Sequence, residues 1–128
     1  MEPKISIKNL NVSIGKHQVL KNISLDIPPN QITVVLGPSG CGKTTLMKCL
    51  NRLIDLEENA VISGSIMLDG QDILNTQSDL PSIRKKMGLL SQRPYPLPMS
   101  IFDNIAYGMR INGIRNKHSL REKAEHYL

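Results

Sequence analysis

Ile32-Thr33-Val34-Val35-Leu36 runs directly into Gly37-Pro38-Ser39-Gly40-Cys41-Gly42-Lys43-Thr44-Thr45. The second stretch follows the pattern G-x-x-x-x-G-K-[ST]: Gly37, four residues, then Gly42-Lys43-Thr44. It lies between a short β-branched run and a helical pattern, the context in which this spacing makes a phosphate-binding loop. Chemistry explains the residue types. Phosphate oxygens need several donors converging on one small volume. Backbone N–H groups supply them where the chain wraps closely, and Gly37, Gly40 and Gly42 remove the side chains that would block the wrap. The helix that follows turns its positive end toward the anion. Lys43 adds a point charge for the β- and γ-phosphates, and the Thr44 hydroxyl is a hard oxygen ligand for Mg²⁺.

Upstream of the loop the pattern is β. Lys4 to Lys8 alternates with Ile5 and Ile7 on one face, and Leu10, Val12 and Ile14 continue to a turn at Gly15-Lys16. Ile23 to Ile27 alternates again and ends at Pro28-Pro29-Asn30. Residues 32–36 do not alternate, as expected of a strand covered on both faces. Downstream, Leu46, Leu50 and Leu53 share one helical face. Asp55 to Asn59 reads as an acidic linker, and 64–70 as a strand closed by an Asp-Gly turn. Ser78 or Asp79 can cap a short helix through Lys86. Met87 to Ser91 reads as a further apolar strand with Gln92 at its end, followed by the stiff loop Arg93-Pro94-Tyr95-Pro96-Leu97-Pro98. Ser100-x-x-Asp103 opens a helix to about Tyr107. Ser119-Leu120-Arg121-Glu122 reads as a capping box opening another, which continues to Leu128.

Composition narrows the class. The chain has 128 residues, room for one small domain with a core. No apolar run approaches the roughly 20 residues of a membrane span, and no signal peptide is apparent at Met1-Glu2-Pro3-Lys4. Cys41 and Cys49 match no metal spacing and fit reduced thiols. The net charge is +5, but the cations are scattered. The one run, Arg84-Lys85-Lys86, has no aromatic platform beside it, so no nucleic-acid partner is expected. His17, His118 and His126 fall in polar or helical surface contexts and are poor catalytic candidates.

This order of parts resembles the N-terminal half of an ABC-transporter ATP-binding subunit. The resemblance covers nearly every residue. It rests on the antiparallel strands before the loop, the loop itself, the G-S-I-x-L-D-G-Q-D-I segment at 64–73, and Gln92. The string from Ser91 to Gly108, with 111–115 and Leu50-Asn51-Arg52, is similar to the Pst-type phosphate-import subfamily. The resemblance implies an α/β P-loop NTPase fold, here an incomplete ABC-type domain. An antiparallel β-subdomain and P-loop core come first, and a helical subdomain begins at about residue 94. It implies that Gly37, Pro38, Ser39, Gly40, Cys41, Gly42, Lys43, Thr44 and Thr45 bind ATP. Lys43 and Gln92 would act in catalysis, and Thr44 and Gln92 would hold Mg²⁺. The implied partners are transmembrane permease subunits, a second copy of the subunit as a homodimer, and indirectly an extracytoplasmic phosphate-binding protein. The implied location is the cytoplasmic face of the cell membrane.

Two departures qualify what the resemblance implies. Ile14 stands where the family usually has an aromatic that stacks on adenine, and it can cover a base face without a π surface. The 128 residues also contain no L-S-G-G-Q signature, no apolar strand ending in Asp-Glu and no switch histidine. Asp69 follows an apolar run but precedes Gly70, which reads as a hairpin turn. An ATPase is therefore expected of full-length relatives, and no turnover of the isolated chain. A nucleotide-binding fragment without hydrolysis, or the ATP-binding subunit of an ABC importer for another solute, is the alternative. An unrelated small P-loop kinase is a further one, but it predicts an Arg-rich lid where this chain has Gln92 and a Pro-rich loop.

Overall fold

The computed structural model describes residues 2–75 and 79–127. It divides into two units, one ending at Gly88 and the other beginning at Leu89. The first unit is built on four antiparallel strands in the order β2-β1-β3-β4: β1 (Ile5–Ile14), β2 (His17–Ile27), β3 (Ala60–Leu68) and β4 (Gln71–Asp72). Central β1 pairs with β2 from Ile5↔Ile27 to Ile14↔His17, and with β3 from Ile5↔Leu68 to Ile14↔Ala60. Helix α1 (Lys43–Leu50), a 3-10 turn over Leu53–Leu56 and α2 (Leu80–Lys85) complete this unit. Ile7, Leu10, Val12 and Ile66 of the sheet, Leu46 and Cys49 of α1, Ile54 and Ile83 form its core.

The apolar positions of β1 change parity between Ile7 and Leu10, so a regular strand would turn one half of them to solvent. A bulge resolves the conflict. Asn9 takes a left-handed φ of 51°, and the register with both neighbours shifts there. Ile7, Leu10 and Val12 are all buried as a result. Side chains satisfy the irregular backbone: Ser24 Oγ accepts the Asn9 N–H at 2.9 Å, and Asn11 Oδ1 accepts that of Asn22 at 2.9 Å. Across the bulge Gly64 has φ +102°, and a Cβ there would lie 2.4 Å from the Asn9 carbonyl oxygen. Only glycine fits.

The hairpin turns fall where expected. Asp69 and Gly70 both have positive φ, 51° and 79°, as a two-residue hairpin turn requires. Lys4 braces this turn, donating from Nζ to Asp69 at 2.9 Å. β2 and β3 begin earlier than their alternation suggested. Helix α1 stops at Leu50 because Arg52 is left-handed, with φ 61°. Leu53 therefore leaves the expected stripe, and Ile54 fills the core instead. Asp79 occupies the N-cap position of α2, with its side chain bonded to Ser82 Oγ at 2.6 Å. Ser78, the alternative cap, lies outside the described residues.

Two expected strands are absent among the described residues. Residues 32–36 and 87–91 form no ladder. A strand buried on both faces needs a pairing strand on at least one side and packed layers above and below, and none of the described segments supplies them. Ile32 is 94% exposed and Leu90 is 88% exposed.

The second unit is an α-hairpin of α3 (Ile101–Ile111) and α4 (Lys117–Tyr127), with Ala106, Leu120 and Ala124 buried. Ser100 caps α3 as expected, accepting the Asp103 N–H at 3.0 Å. The helix runs a turn beyond Tyr107. α4 starts two residues before the expected box, because Asn116 Oδ1 accepts the His118 N–H at 2.9 Å and takes over the cap. Among the described residues no helix is long and apolar enough to cross a membrane.

Candidate functional site

The loop is exposed from Gly37 to Cys41 and partly buried at Gly42, and it carries no regular structure until α1 begins. Gly42 is the N-cap of α1, with φ 96°, and its carbonyl accepts the first helical bond, from the Leu46 N–H at 2.9 Å. The N–H groups of Lys43, Thr44 and Thr45 precede that bond, so the helix itself gives them no partner. A glycine cap has no side-chain oxygen to compete for them. Another residue there would be strained at φ 96°, and its Cβ would press on Leu20 Cδ2 at 2.8 Å and on the Val19 carbonyl oxygen at 3.3 Å. Packing against β2 thus demands glycine on one side of the loop while the other side stays open. At Gly37 a Cβ would meet Cys41 Sγ, the end of an exposed side chain, at 2.8 Å, and at Gly40, with φ +79°, it would meet nothing within 4 Å.

Lys43 Nζ donates back to the loop's own carbonyls, those of Gly37 and of Pro38, the latter at 3.0 Å. Thr44 is exposed at the start of α1, and Thr45 is half-buried. Gly37, Pro38, Ser39, Gly40, Cys41, Gly42, Lys43, Thr44 and Thr45 therefore stand together as one open loop and helix start. Ile14 ends β1 opposite His17 and is partly buried against the core. Gln92 belongs to the other unit. It is exposed in a bend rather than at the end of a strand, because 87–91 is unpaired.

The chemistry of the donors suits a nucleotide with its cation. A Mg²⁺ ion keeps several waters and takes one or two protein oxygens together with phosphate oxygens. The exposed Thr44 hydroxyl at the start of α1 offers one such oxygen. Among the described residues no group of three or more His, Cys, Asp or Glu side chains could hold a metal by itself. His118 faces solvent and Glu122, at 3.6 Å.

The two cysteines differ in environment. Cys41 is exposed in the loop, whereas Cys49 is buried on α1. Burial, with the Asp55 charge adding to it, pushes the Cys49 thiol up to about 11.

Two groups went unnoticed in the sequence. Asn104 braces the Pro-rich loop: its Oδ1 accepts the Leu97 N–H at 2.8 Å. Its Nδ2 donates to the carbonyls of Leu97, Met99 and Ser100 at 3.2, 3.1 and 3.0 Å. Tyr95, Leu97 and Met99 stay exposed around it, and Arg110 lies over the Phe102 ring, 5.7 Å from its centroid. The second group is Arg84 with Asn51, whose contact spans 33 residues of sequence. No local pattern announces either.

Residues 20–128 match the ABC transporter family. The chain is 47% identical to the phosphate import ATP-binding protein PstB 2 of Aliivibrio fischeri, across 97% of this chain and 46% of that protein. It is 44% identical to PstB of Shewanella denitrificans, with the same coverage. It is 46% identical to PstB 1 of Bacillus licheniformis, across 99% of this chain and 49% of the relative. The chain thus spans about half the length of these relatives. Among solved structures it is similar to cbiO1 of Clostridium perfringens, part of the ABC transporter complex cbiONQ, with a TM-score of 0.75 and 22% identity. That match covers 95% of this chain and 47% of cbiO1. It is also similar to a bacterial Atm1-family ABC exporter solved with ATP bound, with a TM-score of 0.70 and 29% identity over 84% of this chain and 18% of that one. The loop, the antiparallel sheet in front of it and these matches agree: the chain belongs to the ABC transporter family.

Proposed function

We propose that this chain is the N-terminal part of the ATP-binding subunit of an ABC importer, and that the solute is inorganic phosphate. The observation that carries the reading is the loop ahead of α1, where first-turn N–H groups without helical partners and the exposed Thr44 stand at an open loop, with the Lys43 ammonium folded onto the carbonyls of Gly37 and Pro38. The names of the Pst relatives support phosphate as the solute. Residues 37–45 hold the triphosphate, with Lys43 at the β- and γ-phosphates and Thr45 toward the α-phosphate. Ile14 covers a face of the base. Thr44 and Gln92 hold Mg²⁺, which when bound neutralises charge on the phosphates. Before any of this, Lys43 leaves the carbonyls of Gly37 and Pro38 to meet the ligand. In the whole subunit Gln92 also orients the attacking water, and ATP hydrolysis drives import.

The domain reading is a β-subdomain and P-loop core, with a helical subdomain from about residue 94. The segment 93–113, exposing Tyr95, Leu97, Met99 and Phe102, docks the transmembrane permease subunits. A second copy of the subunit closes over the nucleotide, at the cytoplasmic face of the membrane, and an extracytoplasmic phosphate-binding protein delivers the solute.

The test has two arms. A fluorescent ATP analogue titrated into the chain with Mg²⁺ should bind. Lys43→Ala should weaken binding by about 1.5–3 kcal/mol, the scale of a hydrogen bond to a charged group. Equal affinity in the two forms would remove the nucleotide site. In the host cells, Lys43→Ala in place of the wild type should abolish uptake of labelled phosphate while sulfate uptake persists. Unchanged phosphate uptake would remove the solute assignment.

A further inference from the structure

Helix α1 has eight residues with Leu46 and Cys49 buried in the core, and its exact direction depends further on what holds its two ends. At the N-terminal end Gly42 packs against Leu20 and Val19 of β2. At the other end Arg84 of α2 donates from Nε to the carbonyl of Asn51, the C-cap residue, at 3.1 Å. Arg84 does not hang loosely, because its neighbour Ile83 is fully buried in the core and fixes α2 in place. Asn51 is itself buried, and its side chain accepts the Leu53 N–H at 3.0 Å. The last carbonyls of a helix lack partners within it, and a guanidinium there supplies a donor and matches the negative end of the helix.

We propose that Arg84 is a positioning residue for the phosphate loop, holding the far end of α1 so that Lys43, Thr44 and the first-turn N–H groups stay aimed at one ligand. The inference rests on the nucleotide reading above. Leu46 and Cys49 bury one face of α1 and Lys48 pairs with Glu57, so Arg84 adds a last restraint on the helix's direction, and even a small swing spoils the convergence on which multidentate phosphate binding depends. The clamp acts at the end of α1 remote from the ligand, so it influences binding without touching it. In chain order Arg84 also precedes the segment leading to Gln92.

The experiment compares the wild-type chain with Arg84→Met, which keeps the apolar stem but has no donor, and Arg84→Lys, which keeps a cationic donor. Analogue binding should weaken by about threefold to tenfold in Arg84→Met, as for one lost hydrogen bond, and recover to within about twofold in Arg84→Lys. Amide hydrogen exchange in the nucleotide-free chain provides a readout independent of ligand. Residues 43–50 should exchange faster in Arg84→Met than in wild type, while β1 and β3 remain unchanged. Unaltered affinity and exchange in Arg84→Met would overturn the inference. So would a loss that Arg84→Lys fails to restore, or faster exchange spread over the whole first unit. A wild-type chain that binds no analogue, yet shows the exchange change, would overturn the nucleotide reading and leave only a structural clamp.

Discussion

Gly64→Ala should be among the most destabilising single-methyl changes in this chain. Gly64 faces the Asn9 bulge with φ +102°, beyond the left-handed region that other residues tolerate in turns. Holding alanine there costs about 1–3 kcal/mol as backbone strain. The added Cβ also meets backbone: the Asn9 carbonyl oxygen at 2.4 Å, its carbon at 2.7 Å and the Lys8 oxygen at 2.8 Å. None of these is the end of a flexible side chain, so relief requires β1 and β3 to separate, at about 1–3 kcal/mol for overpacking. Together the loss is about 2–6 kcal/mol, a large share of the 5–15 kcal/mol typical of a domain. Gly15→Ala separates the two contributions. Gly15 has φ +60° with nothing within 4 Å of a notional Cβ, so it should lose only about 1–2 kcal/mol. Urea denaturation followed by circular dichroism measures both. If the two variants lose the same amount, or Gly64→Ala loses under about 0.5 kcal/mol, the close approach of β1 and β3 at the bulge is wrong.

Asp69 accepts a hydrogen bond from Lys4, which holds its carboxyl below the usual range. A lowered carboxylate stabilises the fold above its unfolded pKa, about 3.9, and that contribution disappears as pH falls through the lower folded value. Asp69→Asn keeps a residue that accepts φ 51°, so denaturation midpoints from about pH 6 to pH 2.5 should fall less steeply in the variant. An identical slope would show that the Lys4 contact does not persist in solution. Iodoacetamide at about pH 8 should modify Cys41 at once and Cys49 only after unfolding, since Cys49 is buried and its thiol is raised to about 11. Peptide mapping that finds both modified in the native chain would contradict the packing of α1. Ile32, Leu36 and Leu90 present unpaired apolar edges. The isolated chain should therefore self-associate with rising concentration, and changing all three to Lys should restore a monomer by light scattering without lowering the melting temperature. A wild-type monomer at every concentration would mean those edges are covered.

Much of the first unit is legible because its signals are local. Two residues set the Asp69-Gly70 turn, and Gly37 to Thr44 specify a loop, of whose glycines only Gly42 meets residues outside the motif, Leu20 and Val19 of β2. The parity change from Ile7 to Leu10 is visible in the sequence, but the bulge that resolves it depends on Gly64, paired from a distant strand. The helix of Leu46 and Leu50 reads correctly until Arg52, whose left-handed backbone no propensity foretells. The α4 start is ambiguous in the sequence because Asn116 and Ser119 are both good caps, and in the fold it is Asn116 that takes the His118 and Leu120 N–H groups. Residues 32–36 and 87–91 have the composition of buried strands. Composition records what a segment can pair with, whereas the ladder depends on which partners are present. The contacts of Arg84 and Asn104 depend on three-dimensional proximity or loop geometry and have no periodic signature.

The folded-back ammonium of Lys43 changes what a binding constant reports. Its donors are already committed to the carbonyls of Gly37 and Pro38, so an arriving anion does not gain a bare cation but exchanges one set of acceptors for another. The measured affinity is the difference between the two sets. Truncating the side chain removes both at once, leaving the carbonyls to water. The deficit from Lys43→Ala is thus smaller than the attraction between ammonium and phosphate. An ornithine at the same position, one methylene shorter, would separate them: an ammonium that keeps the loop carbonyls but falls short of the ligand should bind more weakly than lysine and more tightly than alanine.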